Sequence, residues 1–516
     1  MADESDTGAP EDTAEGSPEH AAEGSPDGAE AGRADAAADT AAPSDSAPAE
    51  ALSPAVPPQP PAPRRGPHPA LIPVMAIGTA LVLVVTGSAL FANAGASDLL
   101  ATPGTAANAG PGTSAAPSAT SAPTRTEITT DELRALAGTQ TDALKRGDVD
   151  GFLAPYDPAA TDLIAERRRL FANLRLVPFT QAQYRWERLY TGSLSGKDTG
   201  RLTADVVVAF VHQVTGVDAQ PVAEQYIWTV ERPAMGAPLR ITGVRGTPGR
   251  SGSYPLAWDL APLVKAERPH VVMLAGSADA NKIAGWADHA ENAAKRDLDL
   301  WKGPSGVPAR FLVFASPDPE LFAKAYGGTM PKGTVAFCAP MAADSSDTRG
   351  RVIVGSRITW DTRSKGIKNT EEQTGVLRHE MGHALVAGFM ASDPGQPDVP
   401  LWIVEGFAEY LEWVDRFGQY YVPAARDFVA SDGFTGKLPG DSELYGEDAE
   451  ANGIGYHLSM TAIRYLVDKY GAEKAFAFVV AAYRNPRDPD KALQETTGLD
   501  LATFESRWAK WVKSHV

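Results

Sequence analysis

The sequence predicts an α+β protein in three parts: one N-terminal transmembrane helix, a small α+β region, and a larger region whose strands give way to a mainly helical half. Three observations carry this. Residues 70–92, "ALIPVMAIGTALVLVVTGSALFA", contain no charged side chain. Between 128 and 247, two helix-period stretches precede three strand-like runs. From 255 to 516 short apolar runs come first, and from Thr370 onward the pattern is mainly helical.

Residues 1–66 are Ala, Glu, Asp, Ser, Pro and Gly with almost no large apolar side chain, so they cannot bury enough surface to offset the entropy of ordering. Fourteen acidic residues and only Arg33 precede Pro63, so this tail carries most of the formal charge of −18. The remainder is nearly balanced and shows no basic stripe, which argues against a nucleic-acid partner. Residues 70–92 at about 1.5 Å each reach about 34 Å, enough for a bilayer core with some tilt. Neighbours on both sides are low-complexity and offer no core for a buried helix, and a cleaved leader would start nearer the N-terminus. Arg64 and Arg65 precede the run, and no Lys or Arg follows until Arg125. That asymmetry places a single-pass protein in the cell membrane, tail in the cytoplasm and body outside. Residues 93–127 read as a flexible tether.

The first folded region, 128–247, opens with "TTDELRALAGTQTDALKR", where Thr130 is positioned to cap and Leu133, Leu136, Ala137 and Leu144 recur at helical spacing. "DLIAERRRLFANLR" is a second helix, and "AQYRWERLYTG", "RLTADVVVAFVHQV" and "QYIWTVER" read as strands. Helices followed by antiparallel strands resemble the cystatin-like and NTF2-like group, with helices on one face of a sheet. This region shows no catalytic set; His212, in an alternating strand, reads as structural, and the region as a spacer or binding module.

The second region, 255–516, opens with the apolar strand "HVVMLA", then a helix through "ADANKIAGWADHAENAAKRDLDLW", then strands "ARFLVFAS" and "RVIVGSRITW". The latter is a candidate edge for an extended peptide. Cys338, the only cysteine, cannot form an internal disulfide and reads as a small buried apolar residue rather than a nucleophile.

Chemistry concentrates in "GVLRHEMGHALVAGF". Thr370 and Gln373 form a capping-box pattern, so a helix is expected from Glu371. At 100° per residue His383 lies about 40° round the helix from His379 and one turn on, so both imidazoles can reach one ion. Glu380 flanks them, within reach of a metal-bound water. Leu377, Met381, Ala384, Leu385 and Gly388 form an apolar back. Catalytic zinc takes three protein ligands and keeps one position for water. On the next helix, "LWIVEGFAEYLEWVDRF", Glu405, Glu409 and Glu412 share one face, which read alone is equally a solvated acidic stripe. A loop with Pro394, Pro397 and Pro400 lets the helices return antiparallel and bring Glu405 to the histidines.

HEMGH followed by "WIVEGFAEY" resembles the glutamate-zincin (peptidase MA-like) metallopeptidases, the branch that includes thermolysin and the aminopeptidase N group. The resemblance covers roughly residues 370–470 and implies a zincin-like domain. It implies Zn2+ held by His379, His383 and Glu405, Glu380 as general base, and Glu409 as an outer partner of a ligand imidazole. The family's transition-state tyrosine opens a comparable helix, which points to Tyr456 in "GIGYHLSMTAIRYLVDKYG", with Tyr445 and His457 as rivals. Ser459 stands where that context usually has glycine. No Gly-x-Met-Glu-Asn segment occurs upstream, so recognition of a free substrate amine does not carry over. The expectation is therefore a membrane-anchored, extracytoplasmic zinc metallopeptidase acting on peptide or protein substrates. The competing class is a non-catalytic envelope binding or scaffold protein with a structural zinc, for which His457 is a possible fourth ligand. A zinc hydrolase acting on a non-peptide amide is a third reading.

Overall fold

The computed structural model describes residues 127–191, 200–246, 255–326, 334–344, 352–363, 370–391, 398–417, 423–446 and 448–516. The expected tail 1–66, the membrane span 70–92 and all but the last residue of the tether 93–127 lie outside the described residues. Among the described residues no helix is long and apolar enough to cross a membrane.

The first region begins with α1 (Thr130–Arg146), α2 (Val149–Leu153) and α3 (Thr161–Leu174). The N-cap of α1 is Thr129, one residue earlier than expected, because its side chain and that of Glu132 close a reciprocal capping box. Four strands follow, β1 (Phe179–Thr191), β2 (Leu202–Val214), β3 (Val222–Arg232) and β4 (Arg240–Gly246), as an antiparallel meander in the order β1-β2-β3-β4. The short β4, "RITGVRG", has a Gly inside and little apolar content, so its sequence signals no strand. Its place is set by pairing with β3.

The second region adds α4 (Ala257–Leu260), β5 (Leu263–Glu267), β6 (Val271–Gly276), α5 (Ile283–Leu300), β7 (Phe311–Ser316), α6 (Pro319–Tyr326), β8 (Ala336–Ala342) and β9 (Ile353–Asp361). Its sheet runs β5-β6-β7-β9-β8, with β6, β7 and β9 parallel and β5 and β8 antiparallel to their neighbours. The strand expected to offer an edge, β9, is therefore interior: it pairs with β7 on one side and β8 on the other. The terminal strand on that side is β8, "AFCAPMA", whose small residues and Pro340 hide it from a periodicity reading.

The apolar run of β6 is continuous because both faces of this sheet are covered. Val271, Met273 and Ala275 pack with α5 and the helical half, whereas Val272 and Leu274 belong to the core of the first region, as do Leu312 and Phe314 of β7. Trp258 of α4 is buried in that same core. The join is held by Asn173 of α3, whose side-chain amide donates to the Trp258 and Ala261 carbonyls (both 2.7 Å) and accepts from Leu263 N–H at 2.9 Å. The two regions thus share packing rather than hanging on a free linker.

The rest is helical: α7 (Thr370–Ala387), α8 (Leu401–Trp413), α9 (Pro423–Ala430), α10 (Asp441–Leu444), α11 (Ala449–Tyr470), α12 (Ala472–Arg484), α13 (Pro489–Thr497) and α14 (Leu501–His515). Helix α11 starts at Ala449, before the expected Tyr456, because the Asp448 side chain accepts from the N–H groups of Glu450 and Ala451. Its Gly453 and Gly455 look like breakers in sequence yet sit inside the helix.

Candidate metal centre

The site is built on α7, α8, α10 and α11. Helix α7 is buried along most of its length from Thr374 to Ala387, between the sheet and the helical half. Two glycines set how closely its neighbours approach. A Cβ on Gly382 would come within 3.0 Å of Leu411 and 3.2 Å of the Ala408 Cα, so α7 and α8 touch almost backbone to backbone there. A Cβ on Gly406 would meet the Ser459 carbonyl oxygen at 2.6 Å, which forces glycine where α8 crosses α11. This places the unexpected Ser459: its hydroxyl turns back to the Gly455 carbonyl at 2.8 Å, and the small residue at the crossing comes from the opposite helix.

That proximity brings the expected ligands together. Glu405 Oε2 lies 3.2 Å from His379 Nε2 and 3.5 Å from His383 Nε2. The three groups present ligand atoms all within 4.8 Å of one another. The two imidazole planes are 75° apart with centroids separated by 4.9 Å, so they converge from different directions. All three residues are buried. On its other nitrogen His379 meets Glu409 Oε2 at 3.2 Å and Glu412 Oε2 at 3.5 Å. The shared acidic face of α8 is thus no solvated stripe: it folds onto one imidazole. A carboxylate on the far nitrogen is the arrangement that fixes tautomer and ring orientation of a metal-ligating histidine.

Electrostatics show what the cluster lacks. Burial raises the pKa of Glu405, but His383 and His379 outweigh it and hold the carboxyl at about 2. Burial lowers His379, yet Glu405, Glu409 and Glu412 lift it well above the usual imidazole value. His383 is lowered, by burial first. Burial pushes Glu380 up to about 8, opposed by His379. Both Glu380 carboxylate oxygens and both His383 ring nitrogens are buried without a hydrogen-bond partner. Such orphaned groups are rare in folded proteins and suit coordination to an ion and its water. A divalent cation accepting two imidazoles and a carboxylate, with one water beside Glu380, fits this set of donors.

The tyrosines divide. Tyr445, at the end of α10, donates its hydroxyl hydrogen bond to Glu405 Oε1. Tyr456 of α11 is buried, hydrogen-bonded to Tyr445, with its ring 6.4 Å from that of His379. His457 is also buried, pushed down to about 4 by that burial, and is in neither group of side chains able to hold an ion among the described residues. The fourth-ligand role weighed for it therefore has no geometry behind it. Cys338, on β8, is buried and its thiol is raised by that burial, which suits a small packed residue.

Sequence reasoning did not find the anchors around the motif. Arg378, next to His379, donates to Asp297 of α5 and to Asp415 beyond α8, both at 2.8 Å, tying three elements behind the site. Its only signal is a charged residue in a helix that is otherwise buried. Tyr445 as the partner of Glu405 carries no periodic signal, since it lies 40 residues downstream in a short turn-rich stretch.

No curated protein matches the chain. A family model described as the Peptidase MA superfamily matches residues 363–514. That segment holds α7, both histidines, Glu380, Glu405, Glu409 and both tyrosines. Residues 363–514 therefore form a Peptidase MA superfamily domain of zincin-like metallopeptidase character.

Proposed function

We propose that the chain is a zinc-dependent peptidase anchored by residues 70–92, with its catalytic domain outside the cytoplasmic membrane. One observation carries the chemistry: His379, His383 and Glu405 converge while Glu380 stands beside them, buried, with neither oxygen bonded. The anchor rests on the charge-free run and the arginines before it.

Zinc at this site would lower the pKa of a bound water towards 7 and polarise a scissile carbonyl. Glu380 is the base that takes the water proton and later hands it to the leaving amine. The Tyr456 hydroxyl is the donor for the oxygen that gains charge in the transition state. Glu409 and Glu412 hold the His379 ring, and Arg378 holds the helix that carries it. Three converging protein ligands, rather than four, favour an open catalytic site over a closed structural one.

The test is Glu380→Gln in the purified protein, read against a broad peptide library by mass spectrometry. The variant is expected to keep its zinc and lose hydrolysis by about 100- to 10,000-fold. Unchanged cleavage by the variant, or no cleavage by the parent enzyme, would sink the peptidase reading.

A further inference from the structure

We infer that Tyr445 is the positioning residue of Glu405, and that it thereby frees Tyr456, alone of the two tyrosines, to face substrate. The assignment rests on the proposed metal centre and concerns how that centre is held.

The two oxygens of Glu405 have different occupations. Oε2 faces both imidazoles, and Oε1 accepts the Tyr445 hydroxyl. A glutamate carboxylate turns freely about its last bond, whose energy profile is broad and roughly two-fold. In a buried site something must decide which oxygen meets the ion. The histidines cannot do so alone, because either oxygen would serve them. The Tyr445 hydroxyl can: it is directional and tethered to α10 on a rigid ring, and it leaves Oε2 as the atom offered to the metal.

Proton count then orders the pair. A phenol carries one proton, and Tyr445 gives its proton to Glu405. Its hydrogen bond with Tyr456 must therefore run the other way, with Tyr456 donating. The chain is Tyr456 to Tyr445 to Glu405. Tyr445 cannot turn to a substrate without giving up its bond to Glu405. Tyr456 can exchange its bond to Tyr445 for one to an anionic substrate oxygen and leave Glu405 undisturbed. The outer partners of metal ligands typically change metal affinity by about 10- to 100-fold when removed.

The experiment uses the full-length protein with zinc, and the same protein loaded with cobalt as a spectroscopic reporter. Tyr445→Phe keeps the ring and its packing. It is expected to weaken zinc binding by roughly 10- to 100-fold in a chelator competition and to shift the visible cobalt bands, with its melting temperature unchanged. Tyr456→Phe is expected to leave zinc affinity and cobalt bands as in the parent. Tyr445→Leu is the second variant, with the same expectation, should the phenylalanine protein fail to fold. Parental affinity and spectrum in both Tyr445 variants would overturn the assignment, as would equal losses in the Tyr445 and Tyr456 variants. Neither readout involves peptide cleavage. A parent that binds zinc but cleaves nothing would remove the peptidase reading and leave this one standing.

Discussion

Two buried clusters set a histidine beside carboxylates, and the imidazoles of His212 and His379 have opposite electrostatic outcomes. In the first region His212 of β2 lies 3.3 Å from Glu224 of β3 and 3.2 Å from Arg357 of β9. Arg357 also grips Asp218 with both guanidinium nitrogens, at 2.7 and 2.9 Å. In the second, His379 is surrounded by Glu405, Glu409 and Glu412. His212 is pushed down to about 3 by burial, with Arg357 adding to the effect, whereas His379 is raised well above the ordinary value. The difference is the cation. Where the chain supplies an arginine, it joins Asp218 and His212 and welds one sheet to the other. Among the described residues Glu405 instead meets two imidazoles and the Tyr445 phenol, a donor set that suits a cation from outside.

The sharpest way to break this comparison is to remove one histidine from each cluster and count metal. His383→Ala is expected to reduce zinc from about one ion per chain to near zero after dialysis, measured by elemental analysis, because a site of two ligands loses most of its affinity. His212→Ala is expected to keep a full complement. Zinc retained without His383, or lost without His212, would mean that the ion sits elsewhere.

The same contrast explains what could be read from the sequence. His379, Glu380 and His383 were legible because a helix makes chemistry periodic: residues four apart share a face whatever the rest of the fold does. Glu405 was legible only as a partner of that helix, since its own acidic face is equally a solvated stripe. The His212 cluster was not legible at all. Arg357 is 145 residues from His212, and the two meet only because the fold brings a β9 side chain to β2. Strand neighbours raise the same difficulty. The run "RVIVGSRITW" reads correctly as a strand, yet its place inside the sheet depends on β8, whose own pattern is silent. Tyr445 was legible as a rival for the transition-state tyrosine but not as the partner of Glu405, because that bond depends on where α10 ends.

A second effect, of intermediate size, tests whether the arginine cluster is a weld. Arg357→Met would leave Asp218 buried beside the Gly355 backbone without its bidentate partner. Breaking a buried pair by removing one member typically costs about 3–5 kcal/mol, mostly the desolvation of the charge left behind. Thermal melting should therefore drop sharply, with zinc content unchanged below the transition. An unaltered melting temperature would show that the two sheets do not depend on this pair, and that Asn173 and the shared apolar core suffice.

The smallest expected effect is the most specific to the comparison, because it reads the sign of the His212 shift. A histidine has an ordinary value of 6.5, and that of His212 is lowered to about 3 in the fold. The unfolded chain therefore binds the proton more readily, so the contribution of this group is present above pH 6.5 and is lost as pH falls towards 3. Between pH 6.5 and 5.5 the loss amounts to roughly 1 kcal/mol. His212→Phe removes the titration while keeping an aromatic ring beside Phe179, Phe210 and Trp258. Against the parent, its stability should rise by roughly 1 kcal/mol as pH falls over that interval in denaturant titrations. Glu224 runs the other way in both proteins: burial raises its value well above 4.5, so its contribution is present below 4.5 and is lost as pH rises through the same interval. The variant should go on gaining on the parent as acid is added from pH 5.5 towards 3. A variant that tracks the parent at every pH would mean that His212 titrates in the fold as it does in the unfolded chain, and that burial beside Arg357 does not hold it neutral.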